Sequence, residues 1–130
     1  MKEPYWLTRE ECLALHEMMV AQYGGTLGLR DEGMLESALG KPKNLFAYGD
    51  PTLADLAASY ALGIVKNHPF LDGNKRTGFM MGAGFLERNG YEFFAEEADA
   101  AIRTLALAAG EMTEKAYAAW LEANSKRLKK

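Results

Sequence analysis

Apolar positions recur along this chain at helical spacing, interrupted by glycine, proline and small polar residues. Thr8-Arg9-Glu10-Glu11 has the Thr-x-x-Glu form of a capping box, and Cys12, Leu15, His16, Met19 and Tyr23 then fall on one face. The spacing predicts a helix ending at Gly24-Gly25, with His16 a packed core histidine among apolar partners. After the glycine-rich stretch Gly24 to Arg30, Asp31 can cap a short helix carrying Met34, Leu35, Ala38 and Leu39, which Gly40 and Pro42 should stop. The segment Lys43 to Pro51 lacks helical period and reads as a loop or short hairpin, in which Phe46 and Tyr48 either clamp a ligand or plug the core.

The strongest pattern follows Thr52. Leu53, Leu56, Ala57, Tyr60, Ala61, Ile64 and Val65 repeat at i, i+3 and i+4 for over three turns, and Pro69 requires that helix to finish near His68. Thr77 to Leu86 is apolar on every side, as in a helix buried within a domain, and its three glycines imply close approach of neighbouring helices. Gly90 suits a left-handed cap, Tyr91 to Phe94 a short extended piece. Ala98, Ala101, Ile102, Leu105 and Ala106 mark a further amphipathic helix, and Thr113 caps a last one with Ala116, Tyr117, Trp120 and Leu121 on its buried face. No repeat or linker interrupts the 130 residues, so the expectation is one all-α domain over 1–130, a bundle of about six helices.

Charge and cysteine usage narrow the function. A net charge of -3 gives no footprint for direct nucleic-acid binding, and Lys126, Arg127, Lys129 and Lys130 read as cations decorating a helix C-terminus. Cys12 is the only cysteine, which excludes an internal disulfide and a thiolate zinc site. The N-terminus has no apolar signal core and no run is long enough to span a membrane, so a cytoplasmic protein without membrane contact is expected.

The chemistry concentrates in Asn67-His68-Pro69-Phe70-Leu71-Asp72-Gly73-Asn74-Lys75-Arg76-Thr77. A helix start favours acids, because its exposed N–H groups and dipole attract negative charge; here two cations stand there instead. An anion fits that arrangement. Free N–H groups near Gly73 and Asn74 would cradle it, with Lys75 and Arg76 adding charge. Asp72 is a hard oxygen ligand suited to Mg²⁺, and His68 carries an imidazole that can accept a hydroxyl proton. The plainer reading makes Asp72 an N-cap, Gly73 a turn residue, and Lys75 and Arg76 solvated charges. No Walker-type glycine loop precedes Thr77, and the turn joins helix to helix.

His68-Pro69-Phe70-Leu71-Asp72-Gly73-Asn74-Lys75-Arg76 resembles the signature of the Fic/Doc family, whose Fic branch reads H-P-F-x-D/E-G-N-G-R. Lys75 stands where Fic enzymes have their second glycine, which matches the Doc (death-on-curing) branch, H-x-F-x-D/N-A/G-N-K-R. Leu15-His16, Tyr23-Gly24-Gly25 and Phe85 to Gly90 are similar to Doc toxins at comparable positions.

The resemblance implies an all-α Fic-like fold and the toxin of a bacterial toxin–antitoxin pair. Fic enzymes transfer AMP, whereas a lysine in the glycine's place implies a Doc-type kinase that moves the ATP γ-phosphate to a threonine hydroxyl of elongation factor Tu and blocks translation. Carried over, His68 is the catalytic base, Asp72 the Mg²⁺ ligand, and Gly73, Asn74, Lys75 and Arg76 hold the phosphates of ATP. Phe70 anchors the turn. The S/T-x-x-x-E-G/N helix of self-inhibited Fic proteins is absent, so restraint is expected in trans, from the C-terminal segment of a Phd-type antitoxin. The intact Pro69 and Gly73 keep an AMP transferase as an alternative, and a non-catalytic interaction module is a third reading.

Overall fold

The computed structural model describes residues 1–128, a bundle of six helices with one two-stranded sheet. In order these are α1 (Arg9–Tyr23), α2 (Glu32–Tyr48), α3 (Leu53–Asn67), α4 (Asn74–Arg88), β1 (Tyr91–Phe93), α5 (Glu97–Ala108), α6 (Glu114–Ala123) and β2 (Ser125–Arg127). Four helices start on the caps that the sequence offers. Thr8 and Thr52 close full capping boxes with Glu11 and Asp55, while Asp31 and Thr113 each accept one backbone N–H.

The centre of the bundle is α3 rather than α4, because its small residues let neighbours approach from nearly every direction: Ala54, Ala57, Ala58, Ala61 and Gly63 are all buried along it. The glycines of α4 complete that contact. A Cβ on Gly78 would lie 2.8 Å from Val65 Cγ1 and 3.0 Å from the Ala61 carbonyl oxygen, and one on Gly82 3.1 Å from the Ala57 oxygen. Gly84 is different, with nothing nearer than 3.8 Å. Two of the three glycines are therefore required by close packing. Tyr60 is fully buried between α3 and the N-terminal segment; its hydroxyl accepts from Leu7 N (3.1 Å) and donates to Leu7 O (3.3 Å).

Helix α2 departs from the expected short helix and following loop, running through Gly40 and Pro42 to Tyr48. Proline in a helix interior costs about 3 kcal/mol. Packing offsets it here: Pro42 is buried and the extended helix brings Phe46 edge-on to Trp6 at 5.7 Å. The bare face of Gly63 sits against the Ala38 carbonyl, the group that loses its helical partner to proline. Phe46 is thus a core plug and Tyr48 is exposed.

Three further expectations are corrected. The buried face of α5 is Ala100, Thr104 and Leu107, so Ala98, Ala101, Ile102 and Leu105 face outward. Tertiary bonds override the apolar stripe, with Thr104 hydrogen-bonded to Tyr117 (2.8 Å) and Asp99 accepting from Trp120 Nε1 (2.8 Å). In α6 Ala118 replaces Ala116 in the core. Lys126 and Arg127 belong to β2, antiparallel to β1 with Glu92 opposite Lys126, and not to a helix end; Lys129 and Lys130 lie outside the described residues. Opposite charges across a strand pair favour that register. No helix among the described residues is long and apolar enough to cross a membrane.

Candidate active site

The turn from α3 to α4 is fixed from both sides. His68 caps α3 in the left-handed region (φ 49°, ψ 54°), the one described non-glycine residue with positive φ. Such a conformation strains a side-chain-bearing residue and persists when its surroundings enforce it. Here the enforcement is visible. The His68 N–H donates to Ile64 O (3.1 Å), while Arg30 donates from Nε to His68 O (2.6 Å) and from Nη2 to Asn67 O (2.9 Å). A guanidinium on the last carbonyls of α3 also complements its negative dipole end. The backbone N–H groups of Arg30 and Asp31 both reach Pro69 O, and Leu71 N reaches Gly28 O. The loop before α2 thus forms an antiparallel bridge, Leu29 to Phe70, along the turn.

From α1, buried His16 stacks on Phe70 (3.8 Å between ring centres, 7° between planes) and bonds Asp72 O at 2.8 Å. A carbonyl only accepts, so His16 Nε2 is the donor. His16 is packed as the sequence implies, and it is packed against the turn itself.

Beyond the turn, α4 starts without a side-chain cap, its N-cap Gly73 in the left-handed region (φ 76°). That conformation, and not crowding, calls for glycine, since a Cβ would meet nothing closer than 3.7 Å. Every other helix carries an acid in its first turn, and α4 carries none. The first intrahelical bond is Thr77 N to Gly73 O, which leaves the N–H groups of Asn74, Lys75 and Arg76 available to an anion.

These residues open on a cleft of about 720 Å³ between α1, α4 and α5, within the range of small-molecule sites. His68, Asp72, Gly73, Asn74, Lys75 and Arg76 all line it. Asp72 is exposed; its Oδ1 accepts from Gly73 N (2.9 Å) and its Oδ2 from Thr26 N (3.2 Å). Each oxygen keeps a second lone pair. Gly25 makes room for that contact, because a Cβ there would stand 2.7 Å from Oδ2. Lys75 makes no hydrogen bond or ion pair among the described residues, whereas the Arg76 guanidinium lies 4.4 Å from the centre of the Tyr23 ring. The Tyr23 hydroxyl donates to Glu97 Oε1 (3.1 Å), and that bond raises its pKa.

Asn74 differs from the expected role. Its side chain is buried, with Oδ1 accepting from Phe70 N (3.0 Å) and Nδ2 donating to Phe70 O (3.0 Å) and His68 Nδ1 (3.2 Å), so only its backbone N–H is left for a phosphate. Neither Arg30 nor Tyr23 was expected at the site. A lone arginine in an apolar, glycine-rich loop was the one available signal for the first; Tyr23, read as core, is 40% exposed under Arg76.

A family model described as Fic/DOC family matches residues 6–86. The chain belongs to the Fic/Doc family. Among its relatives, this Fic/Doc chain is 34% identical over 108 residues to "Protein kinase doc" of Escherichia phage P1, covering 82% of the chain and 85% of that relative. It is 35% identical over 95 residues to "Toxin Doc" of Mycolicibacterium smegmatis, covering 70% of the chain and 69% of the relative. The match to the Fic/Doc model contains α1 to α3, the turn and most of α4; the α5 wall of the cleft lies beyond it.

Proposed function

We propose that this Fic/Doc chain is the toxin of a toxin–antitoxin pair and a protein kinase that transfers the γ-phosphate of ATP to a threonine hydroxyl of elongation factor Tu. The observation that carries this reading is the uncapped, doubly cationic start of α4, opening on one cleft with His68 and Asp72. A relative named as a protein kinase supports phosphoryl over nucleotidyl transfer. The backbone of Gly73 to Arg76 with the Lys75 and Arg76 side chains would hold phosphate oxygens at the helix N-terminus. The hydroxyl oxygen forms the new bond to phosphorus as the bond to the ADP oxygen breaks, and His68 takes the hydroxyl proton.

Mg²⁺ fits the donor set. No group of three His, Cys, Asp or Glu side chains converges among the described residues, and a single exposed carboxylate suits an ion that completes its shell with phosphate oxygens and water. Asp72 would hold it, and the ion would neutralise charge on the transferring phosphates.

Restraint by a Phd-type antitoxin is part of the proposal. Met18, Ile102 and Leu105 are 47%, 65% and 54% exposed on the two helices flanking the cleft, an apolar border onto which the amphipathic C-terminal segment of such a partner would fold. ATP labelled at either the α or the γ position, incubated with the protein and a bacterial extract, tests the enzyme reading. Label should reach protein from the γ position and be lost in His68→Ala and Asp72→Asn; label arriving only from the α position would make the chain an AMP transferase.

A further inference from the structure

We propose that Asn74 is a positioning residue that holds the neutral His68 ring with its proton on Nε2, so that resting His68 presents a hydrogen-bond donor to the cleft. The inference deepens the kinase reading and rests on it for its mechanistic meaning. Its geometry stands alone.

Asn74 is 4% exposed and every polar atom of its amide is committed. Phe70 offers it one donor and one acceptor, N–H to Oδ1 and C=O to Nδ2, both at 3.0 Å. Exchanging the amide oxygen and nitrogen would set donor against donor and acceptor against acceptor, so the orientation is determined. The second Nδ2 hydrogen then points to His68 Nδ1, 3.2 Å away, and that nitrogen must supply a lone pair. A neutral imidazole carries one N–H and one acceptor, which leaves the proton on Nε2. Turning the ring over would put a carbon-bound hydrogen against the amide N–H.

The backbone of His68 cannot swing to relieve this, since its N–H and C=O are held by Ile64 and Arg30. In serine proteases a carboxylate accepts from Nδ1–H, leaving Nε2 bare to act as the base. Replacing that carboxylate by an amide lowers kcat by about 10⁴, because the ring adopts the other tautomer. The Asn74 amide imposes that other tautomer here. In the ground state His68 therefore adds an N–H to the anion site at the head of α4. It accepts the hydroxyl proton only after the bond from Asn74 opens, by rotation of the ring or withdrawal of the amide.

The test is a long-range ¹H–¹⁵N spectrum of the nucleotide-free chain with labelled histidine rings, recorded where the rings are neutral. There are only two histidines, and the signals missing from His68→Ala identify His68. The proton is expected on Nε2 in the natural sequence and on Nδ1 in Asn74→Asp, whose carboxylate accepts from that nitrogen. A wild-type proton on Nδ1, or a tautomer unmoved in folded Asn74→Asp, overturns the proposal. The wild-type spectrum decides even if the variant does not fold. An Nε2 proton in a chain that transfers no label from ATP would sink the kinase reading and leave the assignment to Asn74 intact.

Discussion

Replacing Gly78 by alanine adds one methyl group at the closest point between α3 and α4. Two effects oppose each other. Alanine in a helix interior is favoured over glycine by about 1 kcal/mol. Against that, the new carbon would lie 2.8 Å from Val65 Cγ1 and 3.0 Å from the Ala61 oxygen, where carbon contacts prefer about 3.5–4.0 Å. The Val65 methyl can rotate away, but the Ala61 carbonyl lies in the backbone of the most buried helix and cannot, so relief requires the helices to separate. Overpacking of this kind costs about 1–3 kcal/mol. The net effect is a loss of up to about 2 kcal/mol, or up to about 8 °C in Tm at this chain length. Gly84→Ala is the control. Its methyl would meet Leu7 and Leu15 at 3.8 and 3.9 Å, ordinary contact, so the propensity gain remains and Tm should rise by about 2–4 °C. Calorimetry on both variants checks the signs. Because Gly78 lies one turn into α4, beside Val65 and the turn, Gly78→Ala should also lower label transfer from ATP while Gly84→Ala leaves it unchanged. Equal stabilisation by both substitutions would refute the close-packing account of α4.

Arg30→Gln removes the donors on the Asn67 and His68 carbonyls; urea unfolding should show a loss of about 1–2 kcal/mol, and transfer from ATP should fall more than tenfold while the cleft residues stay unchanged. Ile102→Glu places a charge on the exposed face of α5, and titration calorimetry with the antitoxin segment should show at least tenfold weaker binding without loss of transfer. Burial pushes the Cys12 thiol and the Tyr60 and Tyr117 phenols up to about 12, from ordinary values of 9.0 and 10.0. Between those values and 12 the folded chain keeps protons that the unfolded chain has released, so stability is fully present below pH 9 and falls as pH rises above it. Urea midpoints from pH 8 to 11.5 should decline steadily, with two of the six tyrosines ionising only on unfolding.

Local chemistry made most of this fold legible. Caps at Thr8, Asp31, Thr52 and Thr113, the stop at His68-Pro69 and the extended piece at Tyr91 all depend on neighbouring residues, which a sequence displays. What failed depends on partners far along the chain. Pro42 breaks an isolated helix but is tolerated where Gly63 and the core wait for it. The outward stripe of α5 has the period of a buried face, and only Tyr117 and Trp120, on another helix, show which side turns inward. The site divides the same way. The candidate phosphate and metal residues of the cleft come from one contiguous turn and were visible as a group, whereas its α1 and α5 walls were not, and the residues that hold the turn, His16, Gly25 and Arg30, lie about 40 to 55 residues upstream. Asn74 lines the cleft with the rest of the turn, but its buried amide could not be told from a phosphate donor without the Phe70 backbone around it.

Arg30 has a consequence for how such chains decay. It lies outside the nine-residue signature, yet two of the carbonyls that shape the turn depend on its guanidinium. A descendant that lost it could keep every signature residue from His68 to Arg76 and still be inert. In a selection for cells that survive this protein, substitutions at Arg30 should arise beside those in the signature, and a survey that judged competence from the signature alone would count the dead copies as living ones.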